Sequence, residues 1–163
     1  TLFRSKGYRY HITGLHHGNT GFPTENGEIV DYNIKRLFNK INLHKDEICE
    51  FEEFNLENAE ICIIAYGSVN LAVKSAIEIL NKEGIKVGLF RPLTLWPSSK
   101  KKIKEICDKF KNILVVELNL GQYFGEIQKC GLRDDLHTLF KANGRPISPN
   151  EIIKKVKEIK GVK

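Results

Sequence analysis

The sequence predicts an α/β fold: a small open, mostly parallel sheet with helices on both faces, preceded by an arm that carries one helix. Strand-like and helix-like segments alternate through roughly the last hundred residues, which is typical of strands joined by crossover helices. The strand-like runs are continuously apolar, as expected for strands buried on both faces. The clearest run covers residues 113–116 and is followed by Glu117, Asn119 and a turn at Gly121.

Residues 1–58 differ from the rest of the chain and are predicted to form the arm. Residues 8–12 could be a short extended segment, and residues 13–23 are rich in Gly and small polar residues, which indicates a loop. Residues 46–60 are acidic and predict a surface connection to the next domain. One helix is expected between these segments, because apolar residues recur at helical spacing, at Val30, Ile34, Leu37, Phe38 and Ile41.

Residues 59–163 are predicted to form the α/β domain, beginning with a βαβ unit. Residues 61–66 are an apolar run expected to be a strand, and residues 86–90 are expected to be the next strand. The intervening helix ends near Gly84 and carries its apolar side chains on one face, at Val73, Ala76, Ile77 and Leu80. Such a unit has a right-handed crossover in nearly all proteins.

The second half of this domain repeats the alternation less regularly. Residues 91–97 contain two prolines and are predicted to be irregular, leading to a helix capped by Ser98 or Ser99. After the strand at 113–116, a helix is expected over 122–130 and a weaker strand, at an edge of the sheet, over 136–140. Ser148, Pro149 and Glu151 then form the signature of a capping box at the start of the last helix.

Composition and charge exclude several classes of protein. The 163 residues are 41% hydrophobic and 28% charged, with a net charge of +6 carried by lysines on helix faces. No aromatic residues are interleaved with these lysines, so a nucleic-acid partner is not expected. No apolar run reaches the ~20 residues of a membrane span, and no signal peptide is seen. The chain lacks Met and begins at Thr1, which indicates a piece of a longer protein.

The four cysteines predict packing in a reducing cytoplasm rather than metal binding. No two of Cys49, Cys62, Cys107 and Cys130 form a CxxC pair, so a zinc or iron–sulfur site is not expected. His11, His16 and His17 are the only cluster of histidines, and the adjacent pair alone is an incomplete ligand set. The sequence therefore predicts no metal site.

Two turns at the ends of strands are the candidate sites. The Gly67–Ser68 turn could present backbone N–H groups to a phosphate, but it lacks the glycine pattern of nucleotide-binding loops, and a tight turn is the favoured interpretation. Glu117 and Asn119 could act in acid–base chemistry, yet no His or second carboxylate is adjacent in sequence. Hydrogen bonds that hold the Gly121–Gln122 turn, together with a contact surface, are favoured there. No catalytic or cofactor-binding residue is predicted.

Seven short stretches occur in an order that resembles a known family. The stretches are residues 13–18 (TGLHHG), 21–23 (GFP), 35–36 (KR), 65–68 (AYGS), 89–97 (LFRPLTLWP), 116–122 (VELNLGQ) and 144–148 (GRPIS). Through them the chain resembles, over nearly its whole length, the C-terminal part of the alpha subunit of 2-oxoacid:ferredoxin (acceptor) oxidoreductases, most nearly the 2-oxoglutarate enzyme.

The resemblance implies a domain similar to the transketolase C-terminal domain, with a structural and assembly role. In the family, a pyrimidine-binding domain precedes this domain, and the whole complex uses thiamine diphosphate, Mg²⁺ and iron–sulfur clusters to convert a 2-oxoacid to an acyl-CoA. The implied partners are the beta subunit, other subunits, and ferredoxin or another acceptor. The expected contact or turn residues are Gly67, Ser68, Glu117, Asn119, Gly121 and Gln122.

Two other interpretations remain open at this point. The chain could be the matching domain of another thiamine-diphosphate enzyme, either a transketolase or a 2-oxoacid dehydrogenase component. It could also be a free-standing module that binds a nucleotide or another anion at the Gly67 turn.

Overall fold

A computed structural model describes Gly7 and residues 12–162 of the chain. It divides into two compact units, Thr1–Lys45 and Asp46–Lys163. The sequence predicts a domain boundary after residue 58, which is later in the chain than this division. The domain boundary at residue 58 stays a prediction. The predicted extended segment at 8–12 lies outside the described residues except for Ile12.

The first unit contains the predicted helix of the arm, α1 (Gly27–Asn42). Asn26 caps it, because its Oδ1 accepts hydrogen bonds from the backbone N–H groups of Glu28 and Ile29 at 3.0 and 3.2 Å. The preceding loop forms an isolated bridge between His17 and Pro23. No residue of α1 is buried, even on its apolar face.

The second unit contains a five-stranded sheet and five further helices within the described residues. The strands are β1 (Phe51–Phe54), β2 (Ile61–Ala65), β3 (Val87–Pro92), β4 (Asn112–Glu117) and β5 (His137–Phe140). The helices are α2 (Lys45–Ile48, which spans the division), α3 (Asn70–Lys82), α4 (Lys100–Lys109), α5 (Gln122–Gly131) and α6 (Pro149–Lys160).

The strand order in the sheet is β1-β3-β2-β4-β5. Strands β3, β2, β4 and β5 run parallel, and only the pairing of β1 with β3 is antiparallel. This arrangement confirms the predicted open and mostly parallel sheet. It also confirms that residues 136–140 contribute a strand at an edge.

The edge strand β1 was not predicted, because its segment was interpreted as an acidic surface connection. Phe51 pairs with Pro92 and Phe54 with Leu89 along the antiparallel ladder. Exposed and half-buried residues alternate along the strand, as in an edge strand with one face towards water, but it is only four residues long. Its pairing extends β3 through Pro92, so the predicted irregular segment begins later than residue 91.

The core lies on both faces of the sheet, as the continuous apolar strands predict. Ile61, Ile63 and Ala65 of β2 face a cluster that includes side chains of α3 and α6. Cys62 and Ile64 face a second cluster, which includes side chains of α4 and α5. Both faces of β2 are therefore completely buried.

The two predicted helix starts differ in the structure. The capping box of α6 is confirmed: the Ser148 hydroxyl accepts from the Glu151 N–H at 3.3 Å, and the Glu151 carboxylate accepts from the Ser148 N–H at 2.8 Å. Ser99 is the N-cap of α4 but makes no capping hydrogen bond through its side chain. The Ser98 hydroxyl donates instead to the Leu95 carbonyl. None of the described helices combines the length and the apolar composition that a membrane span requires.

Gly88 is expected to be essential to the close approach of β3 and the segment after β1. A Cβ at this position would lie 2.6 Å from the Asn55 carbonyl oxygen and 2.8 Å from Leu56 Cα. Gly88→Ala should therefore destabilise the fold by about 1–3 kcal/mol, the usual effect of overpacking. Gly125→Ala is the matched control, because a Cβ there meets nothing within 4 Å and Ala favours the helix. Thermal unfolding of both variants measures the difference; equal unfolding temperatures would contradict it.

The capping box of α6 should make stability depend on pH in the acid range. Hydrogen bonds from Lys141 and Ser148 lower the pKa of Glu151 to about 2, from its ordinary 4.5. A carboxylate with a lowered pKa stabilises the fold above pH ~4.5, and this contribution is lost as the pH falls towards 2. The difference in unfolding temperature between wild type and Glu151→Gln should therefore shrink between pH 5 and 2. Asn150→Ala, a change without a titrating group, should show no such trend.

Candidate functional site

The two predicted turns lie at the same edge of the sheet, the one at the carboxyl ends of its parallel strands. Strands β2 and β4 are parallel neighbours, with Ala65 paired to Val116 at the ends of their ladder. The residues that follow, Tyr66 and Glu117, are therefore adjacent in space although 51 positions apart. This is the edge at which open α/β sheets usually bind ligands.

Glu117 is almost completely buried, with 1% of its surface exposed, and its carboxylate faces the start of α5. Its Oε1 accepts a hydrogen bond from the Phe124 N–H at 2.7 Å. Its Oε2 accepts from the Tyr123 N–H at 3.0 Å and from the Tyr66 hydroxyl at 3.2 Å. A negative charge at the N-terminus of a helix is stabilised by the backbone dipoles there. The carboxylate thus caps α5 from the preceding strand.

Asn119 completes the capping of the same helix. Its Oδ1 accepts from the N–H groups of Gly121 and Gln122 at 2.7 and 2.8 Å. Its Nδ2 donates to the Tyr66 hydroxyl oxygen at 2.9 Å. Together with Glu117, it satisfies the N–H groups from Gly121 to Phe124, which have no partners within the helix. We refer to Tyr66, Glu117 and Asn119 as the capping network.

Glycine is the residue type that fits position 121, in the turn between β4 and α5. Its φ of 92° lies in the left-handed region, where side chains are disfavoured. A Cβ at this position would also lie 2.6 Å from the ring of Phe140, which belongs to the neighbouring strand β5. The geometry of the turn is therefore set by both conformation and packing.

Tyr66 is held as a neutral hydrogen-bond donor. Its burial, and then the negative charge of Glu117, raise the pKa of the Tyr66 hydroxyl above its ordinary value. Its ring packs edge-on against Tyr123, with centroids 5.5 Å apart. Because the Tyr66 proton is directed to Glu117, the network is suited to holding a turn rather than to transferring protons to a substrate.

The other predicted turn, Gly67–Ser68, follows β2 at the same edge of the sheet. Among the described residues, it has no comparable network of side-chain hydrogen bonds. Gly67 takes a φ of 66° and starts a single 3₁₀ turn before α3. It lines a cleft of about 260 Å³ together with Tyr66, Arg91 and Leu93. Ser68 is exposed beside it. The interpretation of these residues as a tight turn or contact, favoured over binding of a nucleotide or anion, stays a prediction.

A cluster of charged residues beside this cleft was not predicted. Glu52 of β1 accepts hydrogen bonds from Lys74 at 2.5 Å and from Arg91 at 2.9 Å. These bonds lower the pKa of Glu52. The buried Asn70 side chain also accepts from Arg91 when its amide oxygen is oriented towards the guanidinium. No local sequence signal could have located this cluster, because the Phe-Glu-Glu-Phe segment at residues 51–54 is a strand through its pairing with β3.

The thiols and histidines that the structure describes show no arrangement that could hold a metal. Within residues 12–162 and Gly7, no group of three or more metal-ligating side chains comes together. His17 Nε2 is 2.7 Å from Thr13 Oγ1, and His11 lies outside the described residues. Cys62, Cys107 and Cys130 are buried, and burial raises the pKa of the Cys62 and Cys107 thiols. The two groups with raised pKa values are therefore poor nucleophiles and ligands.

Comparison with known proteins gives a consistent match. Residues 59–152 match the family described as pyruvate:ferredoxin oxidoreductase core domain II. The 2-oxoglutarate synthase subunit KorA of Methanothermobacter marburgensis is 34% identical over 156 residues, which cover 94% of this chain and 42% of that subunit. The chain thus spans less than half the length of this curated relative.

Two solved structures share the fold. The 2-oxoglutarate:ferredoxin oxidoreductase from Magnetococcus marinus aligns with a TM-score of 0.78 at 27% identity, covering 95% of this chain and 27% of that chain. A split-gene transketolase aligns with a TM-score of 0.53 at 15% identity, covering 66% of this chain and 40% of that chain, and shows the fold alone. These alignments confirm the predicted likeness to a transketolase domain.

The capping network should stabilise the fold measurably. Asn119→Ala removes the acceptor of two helix N–H groups and should lower the free energy of unfolding by about 1–2 kcal/mol. Glu117→Gln leaves a buried N–H without an acceptor and should cost about 1–3 kcal/mol. Gln122→Ala changes an exposed side chain on the same turn and should stay within about 0.5 kcal/mol of wild type. Urea unfolding tests the series, and wild-type stability of both network variants would contradict it.

Proposed function

Because this chain belongs to the pyruvate:ferredoxin oxidoreductase core domain II family, we propose that it is a structural and assembly domain at the C-terminal end of the alpha subunit of a 2-oxoacid:ferredoxin oxidoreductase. The family match covers residues 59–152 of the 163. The likeness to KorA and to the Magnetococcus marinus enzyme supports 2-oxoglutarate as the substrate of the whole complex.

The proposed complex oxidatively decarboxylates its 2-oxoacid, forms an acyl-CoA and passes electrons to ferredoxin or another acceptor. Thiamine diphosphate, Mg²⁺ and iron–sulfur clusters supply this chemistry and are proposed to be held by other domains and subunits. The described residues bring together no donor set suited to a metal or cluster. We therefore assign no chemical step to this chain.

The capping network is the observation that carries the proposal. A carboxylate at the carboxyl end of a parallel strand is a usual place for catalysis or ligand binding. Here the Glu117 oxygens accept from two N–H groups of α5 and from Tyr66 within the domain. The Oδ1 of Asn119 accepts from two backbone N–H groups of the turn, and its Nδ2 donates to Tyr66, so both atoms also bond within the domain. The polar groups that could have met a substrate hold the turn instead.

A structural domain of this kind can still control how much active enzyme is formed. Loss of the cap would loosen the β4–α5 turn and the packing of Phe140 against Gly121. The proposed effect on activity is therefore indirect and acts through assembly with the beta subunit and its neighbours.

The compartment and partners follow from the same proposal. Buried cysteines within the core suit a reducing cytoplasm. Positive residues are distributed along helices and form ion pairs with neighbouring carboxylates, as Lys104 does with Asp108. This pattern favours a protein partner over nucleic acid.

The complex that contains this chain, purified with its beta subunit, should reduce methyl viologen when supplied with 2-oxoglutarate and CoA. With Glu117→Ala or Asn119→Ala, the yield of assembled complex should fall, while kcat and KM per assembled complex stay within about twofold of wild type. Native mass spectrometry gives the assembled fraction, and viologen reduction gives the rate. Normal assembly and stability with lost turnover would contradict the proposed role, and no 2-oxoacid-dependent reduction would contradict the proposed activity.

A further inference from the structure

We propose that the carboxyl edge of the sheet is the surface on which the rest of the alpha subunit, its pyrimidine-binding domain, packs. This inference rests on the proposed function and adds the location of the contact. The surface consists of exposed apolar side chains from the three segments that follow β2, β3 and β4. They are Leu71, Leu93, Leu95, Trp96, Leu118 and Leu120.

The first observation is the absence of charge from these three segments. Residues 66–73, 92–99 and 118–125 contain no Asp, Glu, Lys or Arg, although 28% of the chain is charged. The fourth segment at this edge, residues 141–148 after β5, contains Lys141 and Arg145. At the opposite edge, ten of the twenty residues in the connections 55–60, 82–86, 109–112 and 132–136 are charged. Loops in contact with water are normally polar, so the difference indicates that the carboxyl edge is covered in the assembled protein.

The second observation is the exposure of large apolar side chains in the same segments. Leu120 is 81% exposed, Leu71 80% and Trp96 68%. Single exposed apolar residues are ordinary, but several on one edge mark an interaction surface. Trp96 is the only Trp in the chain, and Trp is the residue type most enriched among the energetic centres of interfaces.

The topology places these side chains on one continuous edge. Strands β3, β2 and β4 are consecutive parallel neighbours, so the segments at their carboxyl ends lie side by side. Leu93 and Leu95 line the cleft with Gly67, and Leu118 and Leu120 line a groove of about 540 Å³ with Arg145. The hydrogen bonds of the capping network hold residues 118–124, so Leu118 and Leu120 have defined positions.

The length of the relatives identifies the occupant. The alignment covers 94% of this chain but 42% of KorA, so more than half of that subunit is additional polypeptide. A domain on the same polypeptide has a high effective concentration, and a permanent contact of this kind tolerates a largely apolar surface. The occupant should be apolar opposite Leu120 and should present a carboxylate to Arg145, whose guanidinium forms no ion pair within the described residues.

Site-specific photo-crosslinking in the assembled complex tests the inference. Benzoylphenylalanine in place of Leu120 should form adducts that mass spectrometry maps to the pyrimidine-binding domain of the alpha subunit. Leu132 is the matched control, because it is the same residue type with 79% exposure but lies at the opposite edge. The probe at position 132 should give less than a tenth of the adduct yield. Adducts on a second copy of residues 1–163, on the beta subunit or within residues 1–163 themselves, or no adducts, would overturn the inference.

A charge substitution provides a second, independent measurement. Leu120→Lys should make the complex on the order of tenfold more susceptible to limited proteolysis between the two domains, since a buried charge opposes their packing. Leu132→Lys should leave the cleavage rate unchanged. Equal rates for the two variants would overturn the surface assignment. Viologen reduction by the wild-type complex separates the two proposals, because continued 2-oxoglutarate oxidation would leave the proposed function standing even where the surface assignment fails.

Discussion

The unpaired backbone N–H groups at the start of α5 are the constraint on which the carboxyl edge of the sheet depends. A buried helix start requires partners for these groups, and the chain supplies them from the end of the preceding strand. Glu117 and Asn119 accept from the consecutive N–H groups between Gly121 and Phe124. Tyr66, which follows the adjacent strand, then joins both side chains. One requirement of helix geometry thus ties together β2, β4 and α5.

The same constraint decides how the edge can be used. In many open α/β sheets the N–H groups of a helix start bind a ligand, because nothing within the protein satisfies them. In this domain they bind Glu117, whose carboxylate is buried and already accepts three hydrogen bonds. The polar side chains of this turn therefore form their hydrogen bonds within the domain. Leu118, between Glu117 and Asn119, and Leu120, directly after Asn119, are exposed.

Most of the fold could be predicted from the sequence, because its strongest signals are local. The apolar run of β4 and the capping box of α6 each lie within a few consecutive residues. Strand β1 could not be recognised, since a four-residue Phe-Glu-Glu-Phe segment is stabilised as a strand by its pairing with β3. Glu117 and Asn119 could be identified from the sequence as candidate site residues, because they directly follow the apolar run of β4. Their partner Tyr66 could not, because the register of β2 against β4 brings it to Glu117.

The contrast between the two edges of the sheet supports a structural interpretation of the whole domain. An edge that binds a charged metabolite such as a 2-oxoacid or an acyl-CoA needs unpaired cationic or polar groups directed outward. Arg91, the cation nearest the Gly67 cleft, is paired with Glu52, and Arg145 is an unpaired cation beside the Leu120 groove among the described residues. The large exposed side chains of the three adjoining segments are leucines and a tryptophan, with Ser68 and Gln122 as exposed polar residues. Such a surface gains free energy when another protein surface removes it from water, and it offers little to a charged ligand. The chemistry of this edge therefore favours domain packing.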